Sequence, residues 1–196
     1  MRIDHDIIQA FVPEKSRVLD LGCGDGSLLE LLMNNKSASG LGVEIDHQKF
    51  ASCLEKGISV IDQNLDDGLG NFDEQSFDVV IMSQTLQALD RPDKVLDDML
   101  RVGREGIVAF PNFGHWRPRF HLISKGRMPV SELMPYKWYD TPNIHFCTVK
   151  DFEVLCQEKG FKILNKALAD RETRLRGLPS QLPNLFASTA IYHLSR

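Results

Sequence analysis

Three glycines, Gly22, Gly24 and Gly26, follow a short apolar segment and form the strongest candidate for a ligand-binding turn. Glycine in such a turn lets a ligand lie against the backbone, where a Cβ atom would block it. The next residues have helical spacing, and the first N–H groups of a helix can bind an electron-rich group. Asp20 could face a ligand amine, and Glu44, at the end of the next strand, could bind a ribose diol. The pattern predicts a nucleotide-like cofactor.

Two kinds of cofactor compete for this turn. A nicotinamide cofactor usually requires the spacing GxGxxG, so that its pyrophosphate lies on the helix, whereas the spacing here is GxGxG. The acid Asp20 directly before the turn suits the ammonium group of an amino-acid moiety better than a pyrophosphate. Both features favour S-adenosylmethionine, or S-adenosylhomocysteine, over NAD. The alternative is that the glycines only form a tight turn, which leaves Asp20, Glu44 and the downstream strand at Phe77 without a role.

The elements that must position these residues alternate between strand and helix. Apolar runs predict strands at 17–21, 41–45, 58–61, 77–82 and 106–110. Helical spacing predicts helices at 4–11, 27–34, 47–56, 93–102 and 148–159. Two late strands, 161–169 and 185–194, are expected to pair antiparallel with no helix between them. The alternation predicts an α/β fold with a doubly wound, mostly parallel, seven-stranded sheet and an antiparallel C-terminal strand.

Composition fits one domain over residues 1–196, because 42% hydrophobic residues can build a sizeable core. The net charge of −4 argues against a general nucleic-acid-binding protein. The four cysteines form no CxxC pair, so we expect reduced thiols and no metal site. The acidic stretch 66–74 is interpreted as a solvated loop. No segment has the length and apolar character of a signal peptide or membrane helix, and we expect a cytoplasmic protein.

Residues 112–147 form a long insertion between the fifth strand and the helix that begins near Thr148. The insertion holds both tryptophans, two of the three tyrosines and three of the six histidines. Five basic residues against two acidic ones, Glu132 and Asp140, give it a formal charge of +3, whereas the rest of the chain carries −7. Such a composition is typical of an interface or a substrate lid. The alternative is an ordinary subdomain with a small aromatic core.

Candidate acceptor or partner residues follow the fourth and fifth strands. Ser83 and Gln84 end the fourth strand, and Gln87 lies one helical turn further; these polar groups could orient a methyl acceptor or could cap the ends of elements. His115 could act as a base near neutral pH. No acid stands near it in the sequence, so the interpretation of His115 and His121 as solvated residues of a lid is preferred. Other candidates in the insertion are Trp116 and Tyr136. Catalytic residues are not assigned.

The turn, the strand-end acids and the downstream strand together resemble class I S-adenosylmethionine-dependent methyltransferases, over about residues 15–110 and the terminal strand pair. The resemblance implies that the three glycines line the methionine side of the cofactor. It implies that Glu44 holds the ribose and Ile45 packs on the adenine. Asn64, with Leu65 beside it, would take the place of the family's adenine-binding Asp, although Asp62 is a competing candidate. Ser83 would also border the cofactor.

A narrower resemblance covers nearly the whole chain. The segments that carry it are DDGL (66–69), SFDVVIMSQTLQA (76–88), MLRVGR (99–104), FPNFGHW (110–116) and YKWYDTPNIH (136–145). Together they are similar to the methionine biosynthesis protein MetW family. The resemblance implies a methyltransferase-like protein that acts in methionine synthesis with homoserine O-acyltransferase, as its partner or activator. The alternative is a small-molecule methyltransferase, and enzymatic activity is left open.

Overall fold

The computed structural model describes residues 3–131, 134–171, 173–175 and 177–196. Within them, a single sheet contains eight strands: β1 (Arg17–Leu21), β2 (Ser39–Glu44), β3 (Val60–Asp62), β4 (Phe77–Ser83), β5 (Gly103–Pro111), β6 (Lys162–Asp170), β7 (Thr173–Arg174) and β8 (Thr189–Ser195). Their order across the sheet is β3-β2-β1-β4-β5-β8-β6-β7. The neighbours from β3 to β5 are parallel. β8 runs antiparallel to both β5 and β6. The predicted fold class is confirmed.

The strand count is eight rather than the predicted seven. The additional strand, β7, has two residues and pairs with the end of β6 through Ala169 and Asp170. A two-residue strand has no periodicity of its own, so no apolar pattern in the sequence marks it. The predicted antiparallel pairing of the two late strands is confirmed.

Helix α1 (Ile3–Phe11) precedes β1. The connections between strands contain α2 (Ser27–Lys36), α3 (His47–Glu55), α4 (Pro92–Val102), α5 (Trp116–Lys125), α6 (Val149–Lys159), α7 (Leu178–Gln181) and α8 (Pro183–Phe186). Two 3₁₀ turns lie at Leu65–Asp67 and Leu86–Ala88. Among the described residues, no helix combines the length and apolar character that crossing a bilayer requires.

The prediction of a strand over 185–194 with no preceding helix was wrong at its start. β8 begins at Thr189, and α7 and α8 lie between β6 and β8. Pro179 and Pro183 stand in the first turns of these two helices, where the fixed φ of proline is already helical and its missing N–H is not needed. The apolar residues Leu185 and Phe186 therefore belong to a short helix and not to the strand.

The core lies in two layers, one on each face of the sheet. Along β4, Val79 and Ile81 belong to the layer that contains buried residues of α1, α2 and α3, whereas Val80 and Met82 belong to the layer with residues of α4 and α6. Side chains alternate between the two faces of a strand, so an uninterrupted apolar run is buried on both sides. The parallel pairing of β1 with β2 and β4 places the carboxyl ends of these three strands at one edge of the sheet.

Candidate functional site

A cavity of about 720 Å³, here called the turn cavity, opens at the carboxyl ends of β1, β2 and β4. The strand order reverses between β1 and β4, and ligands of open α/β sheets bind at such a reversal. Ten of the residues proposed from the sequence line this cavity: Gly22, Gly24, Glu44, Ile45, Asn64, Leu65, Ser83, Gln84, Gln87 and Tyr136. The fold thus brings together residues from five separate parts of the chain.

The glycine turn joins β1 to α2 with three left-handed residues. Gly22, Gly24 and Gly26 have φ angles of +74°, +60° and +76°, a region that side chains with a Cβ rarely adopt. A Cβ on Gly22 would overlap the side chain of Thr85, and one on Gly26 would lie 2.6 Å from Ile58 Cδ1. A Cβ on Gly24 would meet no atom within 4 Å, because this glycine faces the cavity. Gly26 is the N-cap residue of α2 and lies behind the lining.

Asp25 fastens this turn to the end of α3. Lys56 Nζ donates to Asp25 Oδ2 at 2.8 Å and to the Asp25 carbonyl at 2.8 Å, and Ser27 Oγ also donates to the carboxylate. The hydrogen bond from Lys56, followed by that from Ser27, holds the pKa of Asp25 well below its usual range. The negative charge is placed beside the N-terminus of α2, where the helix dipole favours it.

Glu44 connects the end of β2 to the turn. Its Oε2 accepts the N–H of Gly24 at 2.8 Å, and its Oε1 accepts those of Ile45 and Asp46 at 3.0 Å each. The carboxylate is buried although it borders the cavity. Three backbone donors therefore hold it in one orientation before any ligand arrives.

Asp20 lies at the carboxyl end of β1, behind the glycine turn, and is 2% exposed. It does not line the turn cavity. Burial, followed by the charge of Asp20, raises the pKa of the Cys23 thiol, whose Sγ lies 3.8 Å from Cys53 Sγ. These thiols pack beneath the turn as small apolar groups.

The far end of the turn cavity is bordered by Ile45, Asn64 and Leu65. Ile45 is more than half exposed, as a residue packing on a ligand would be before the ligand binds. Asn64 Oδ1 accepts the N–H of Asp66 at 3.1 Å and so caps the 3₁₀ turn that follows β3. Asp62 lies outside the cavity lining, with its carboxylate 3.7 Å from His47 Nδ1. Of the two candidates for the adenine contact, Asn64 borders the cavity.

Unusual polar geometry surrounds the end of β4. Gln84 has a left-handed φ of +60°, while its N–H donates to the carbonyl of Ala109 at 2.7 Å. Gln87 Nε2 donates to the Gln84 carbonyl at 2.8 Å, so this amide does cap the turn. Ser83 Oγ and Gln87 Oε1, however, are buried and have no hydrogen-bond partner among the described residues. Strain and unsatisfied polar atoms of this kind are concentrated at ligand-binding sites.

The 112–147 segment begins and ends at one point. The Phe113 N–H donates to the Cys147 carbonyl at 3.1 Å. The fully buried Asn112 accepts the N–H groups of Gly114 and Val149 through Oδ1, at 3.0 and 3.2 Å, and its Nδ2 donates to the Ala187 carbonyl at 2.7 Å. Asn112, in the FPNFGHW stretch, therefore joins the end of β5 to α6 and α8.

The later part of this segment lies over the turn cavity. The N–H groups of Ile144 and His145 donate to the Gln87 carbonyl at 2.9 and 3.0 Å, and Tyr136 and Asn143 line the cavity. Trp116 lies elsewhere, exposed on the first turn of α5 with the Arg117 guanidinium 5.4 Å from its ring centroid. Glu132, counted in the charge of the segment, is outside the described residues.

The expectation that His115 is solvated was wrong. It is 2% exposed; its Nδ1 accepts the Arg117 N–H at 3.4 Å and its Nε2 lies 3.5 Å from Asp170 Oδ1. Burial lowers the pKa of His115, and the carboxylate of Asp170 opposes this effect. The acid comes from β6, far along the chain, so a search of neighbouring residues could not find it. The pair borders a second cavity of about 1040 Å³, here called the His115 cavity, which shares Thr189 with the turn cavity.

Several lining residues were missed by the sequence analysis, among them Lys49, Asp66 and Thr85. Asp66, interpreted as part of a solvated loop, is exposed but borders the turn cavity, and its Oδ1 accepts the Asp90 N–H at 2.9 Å. Its position immediately after Asn64 and Leu65 was the available signal. In the part of the chain that the structure describes, no group of three or more His, Cys, Asp or Glu side chains is arranged to hold a metal.

Comparison with known proteins decides the family. A family model described as "Methionine biosynthesis protein MetW" matches residues 2–194. The chain belongs to the MetW family. A relative from Rhodopirellula baltica, described as a bifunctional methionine biosynthesis protein MetXA/MetW, is 35% identical over all of this chain and 33% of its own length.

A second relative of this MetW-family chain is a ubiquinone biosynthesis O-methyltransferase from Hahella chejuensis. It is 31% identical over 69% of this chain and 58% of its own length. The chain thus spans between a third and three-fifths of the length of these two relatives. A solved S-adenosylmethionine-dependent methyltransferase from Mesorhizobium loti superposes with a TM-score of 0.69 and 15% identity, covering 99% of this chain and 98% of the other. The fold is that of the S-adenosylmethionine-dependent methyltransferases.

Proposed function

We propose that this MetW-family chain binds S-adenosylmethionine, or S-adenosylhomocysteine, in the turn cavity. The left-handed glycine turn presents an open Gly24, and the buried Glu44 carboxylate stands beside it. Asn64 and the exposed Ile45 border the other end, where an adenine ring would lie. The cavity has room for a ligand of this size, since small-molecule sites range over roughly 300–1,000 Å³.

We propose further that the protein acts with homoserine O-acyltransferase, as its partner or activator. The observation that carries this proposal is the Rhodopirellula relative, whose description joins MetXA and MetW in one polypeptide. Parts that occur fused in one protein are candidates to associate when they are separate chains. S-adenosylmethionine is the downstream product of methionine synthesis, so its binding here would report the supply of methionine to the acyltransferase.

The chemistry of the turn cavity fits a ligand-sensing role. Its described ionisable lining groups are Glu44, Asp46, Lys49, Asp66 and Tyr136. Glu44 and Asp46 both accept backbone N–H groups, and Asp46 caps α3. These groups are suited to holding a ligand in place rather than to catalysing a reaction on it. The proposal includes a cytoplasmic location, supported by four cysteines that form no disulfide.

Two measurements test this function. Isothermal titration with S-adenosylmethionine, S-adenosylhomocysteine and NAD should give binding of the first two and none of the third. Co-purification with the acyltransferase of the same organism, and the rate of that enzyme with and without this chain, test the partnership. We expect a complex and a faster acyltransferase; absence of both would overturn the regulatory role, whatever the titration shows.

A second candidate function is methyl transfer to a small molecule. The strained Gln84, the buried Gln87 Oε1 and the junction of the two cavities at Thr189 favour it, because an acceptor in the His115 cavity would lie next to the cofactor. Orientation of an acceptor beside the methyl group supplies much of the rate of such a reaction. Transfer of labelled methyl to a metabolite extract, lost in Gly24→Val, would support this function. Cofactor binding without any turnover would count against it.

A further inference from the structure

Helix α5 carries an apolar stripe that nothing in the described chain covers. Trp116, Phe120 and Ile123 are spaced i, i+4 and i+7, which places them on one face of the helix, and they are 42%, 64% and 84% exposed. Pro118 is the only buried residue among the ten of α5. We call Trp116, Phe120 and Ile123 the α5 stripe. A helix that displays its apolar face in this spacing is suited to lie in an apolar groove.

Positive charge accompanies the stripe. Residues 112–131 contain Arg117, Arg119, Lys125 and Arg127 and no Asp or Glu. Arg119, Lys125 and Arg127 are exposed. In a symmetric dimer the same patch meets itself, so pairing two α5 stripes would bring these cations together. The charge therefore disfavours a second copy of this chain and favours a partner with an acidic rim around an apolar groove.

We propose that the α5 stripe docks into such a groove on homoserine O-acyltransferase. This inference rests on the proposed function, which supplies the partner; the stripe and its charges supply the place and chemistry of contact. Aromatic and aliphatic side chains that become fully buried at the centre of an interface dominate its affinity, and the charges at its rim govern the association rate. Basic amphipathic helices also bind anionic membranes, so a membrane surface is an alternative outcome of the test.

A physical connection runs from α5 to the turn cavity. Met128 and Pro129, just after α5, share a small cavity of about 20 Å³ with Tyr136, Trp138 and Asn143. Tyr136 and Asn143 also line the turn cavity. A partner that binds α5 would thus contact a segment that also lines the proposed cofactor site.

The test compares binding of the separately produced acyltransferase to the full chain and to three variants. Phe120→Ser with Ile123→Ser, the stripe variant, removes the two most exposed of the three apolar side chains of the stripe. Leu54→Ser with Val154→Ser is the matched control, because these side chains on α3 and α6 are 56% and 52% exposed. Lys125→Glu with Arg127→Glu reverses two charges. Unchanged thermal stability and unchanged S-adenosylmethionine affinity establish that each variant is folded.

We expect the stripe variant to weaken the complex by at least about tenfold and the control variant to leave it unchanged. The charge variant should slow association, with a smaller effect at high salt. A wild-type complex that the stripe variant forms equally well would overturn the docking site and leave the proposed function standing. A wild-type chain that does not bind the acyltransferase would overturn both.

Two further measurements test whether the α5 stripe binds something other than the acyltransferase. Light scattering reports whether the wild-type chain dimerises and whether the stripe variant loses the dimer. Sedimentation with phosphatidylglycerol vesicles reports whether the stripe binds an anionic membrane. A stripe-dependent dimer or vesicle complex, with no stripe-dependent acyltransferase complex, would overturn the proposal in favour of that occupant.

Discussion

The carboxylate of Glu44 has more hydrogen-bond donors than its place in the motif suggests. It accepts three backbone N–H groups, one of them from Gly24 in the glycine turn. A ribose diol bound here would add to this set or displace part of it. The acid that would hold the ribose therefore also sets the shape of the turn that would hold the methionine moiety.

Glu44→Gln should weaken S-adenosylmethionine binding by at least about tenfold, measured by isothermal titration. The amide has one acceptor oxygen, so its NH₂ group must face backbone N–H groups that now point at a carboxylate oxygen. Glu55→Gln is the control, because Glu55 is exposed at the end of α3. Equal affinities of both variants would show that Glu44 does not contact the cofactor.

Gly24→Ala separates backbone strain from the loss of ligand space. Gly24 and Gly160 have left-handed φ angles of +60° and +69°, and a Cβ at either would meet no atom within 4 Å. Each alanine variant should therefore lose about 1–2 kcal/mol of stability through strain alone. Only Gly24→Ala should also lose cofactor affinity, because Gly24 lines the turn cavity and Gly160 caps α6. Loss of affinity in both variants, measured by titration, would contradict this role.

The buried His115 should make the free energy of unfolding depend on pH. Burial lowers its folded-state pKa, Asp170 opposes this, and Arg117 and Arg171 add to the lowering. Between the folded-state pKa and about pH 6.5, the unfolded chain binds a proton that the folded chain does not. The contribution of His115 to stability is therefore complete above about pH 6.5 and falls as the pH drops towards the folded-state pKa. Urea unfolding of wild type and His115→Gln between about pH 8 and about pH 5 should show that the variant lacks this pH-dependent part of the stability. His121→Gln, a substitution within exposed α5, should retain it.

The sequence could predict the position of those site residues that depend only on nearby parts of the chain. The glycine turn and Glu44 follow a local rule, since a strand, a turn and a helix place them without reference to the rest of the chain. His115 and Asp170 are brought together by the pairing of β6 with β8 and the path of the segment after β5. No local pattern carries that information, and the interpretation of His115 failed for this reason.

At the scale of elements, Asn112 determines where the end of β5, α6 and α8 meet. Its buried amide bonds the backbone of Gly114, Val149 and Ala187. Asn112→Ala leaves these groups buried and unsatisfied, and should lower the free energy of unfolding by about 3 kcal/mol. Asn35→Ala is the control, because Asn35 is an exposed residue of α2 with one long side-chain bond. A similar loss in both variants, measured by urea unfolding, would refute the role of Asn112.

The elements that were predicted well are those whose pattern follows from burial. β4 is apolar on both faces because layers of helices cover both, and α6 begins at a capping box in which Thr148 and Asp151 bond each other's backbone N–H. α7 and α8, of four residues each, are too short for any periodicity. α5 was not predicted within the insertion because it buries only Pro118, so no stripe facing a core of this chain marks it.

On the scale of the whole molecule, cofactor and partner should influence each other. The 112–147 segment carries the exposed α5 stripe, and its Tyr136 and Asn143 line the turn cavity. We expect the affinity for S-adenosylmethionine to differ by at least about fivefold between the free chain and its acyltransferase complex. By linkage, the cofactor must change the affinity of the complex by the same factor. Titrations of both ligands test this, and equal affinities in the two states would exclude coupling.

The closed base of the 112–147 segment has an evolutionary consequence. Its two ends are hydrogen-bonded to each other and held by Asn112. The segment therefore leaves and rejoins the sheet at one place, whatever its length, as a short loop would. Mutations of the exposed residues within 116–127 can therefore change the outer surface without altering the glycine turn or Glu44. Exchanging this stretch between family members should transfer the choice of acyltransferase together with it.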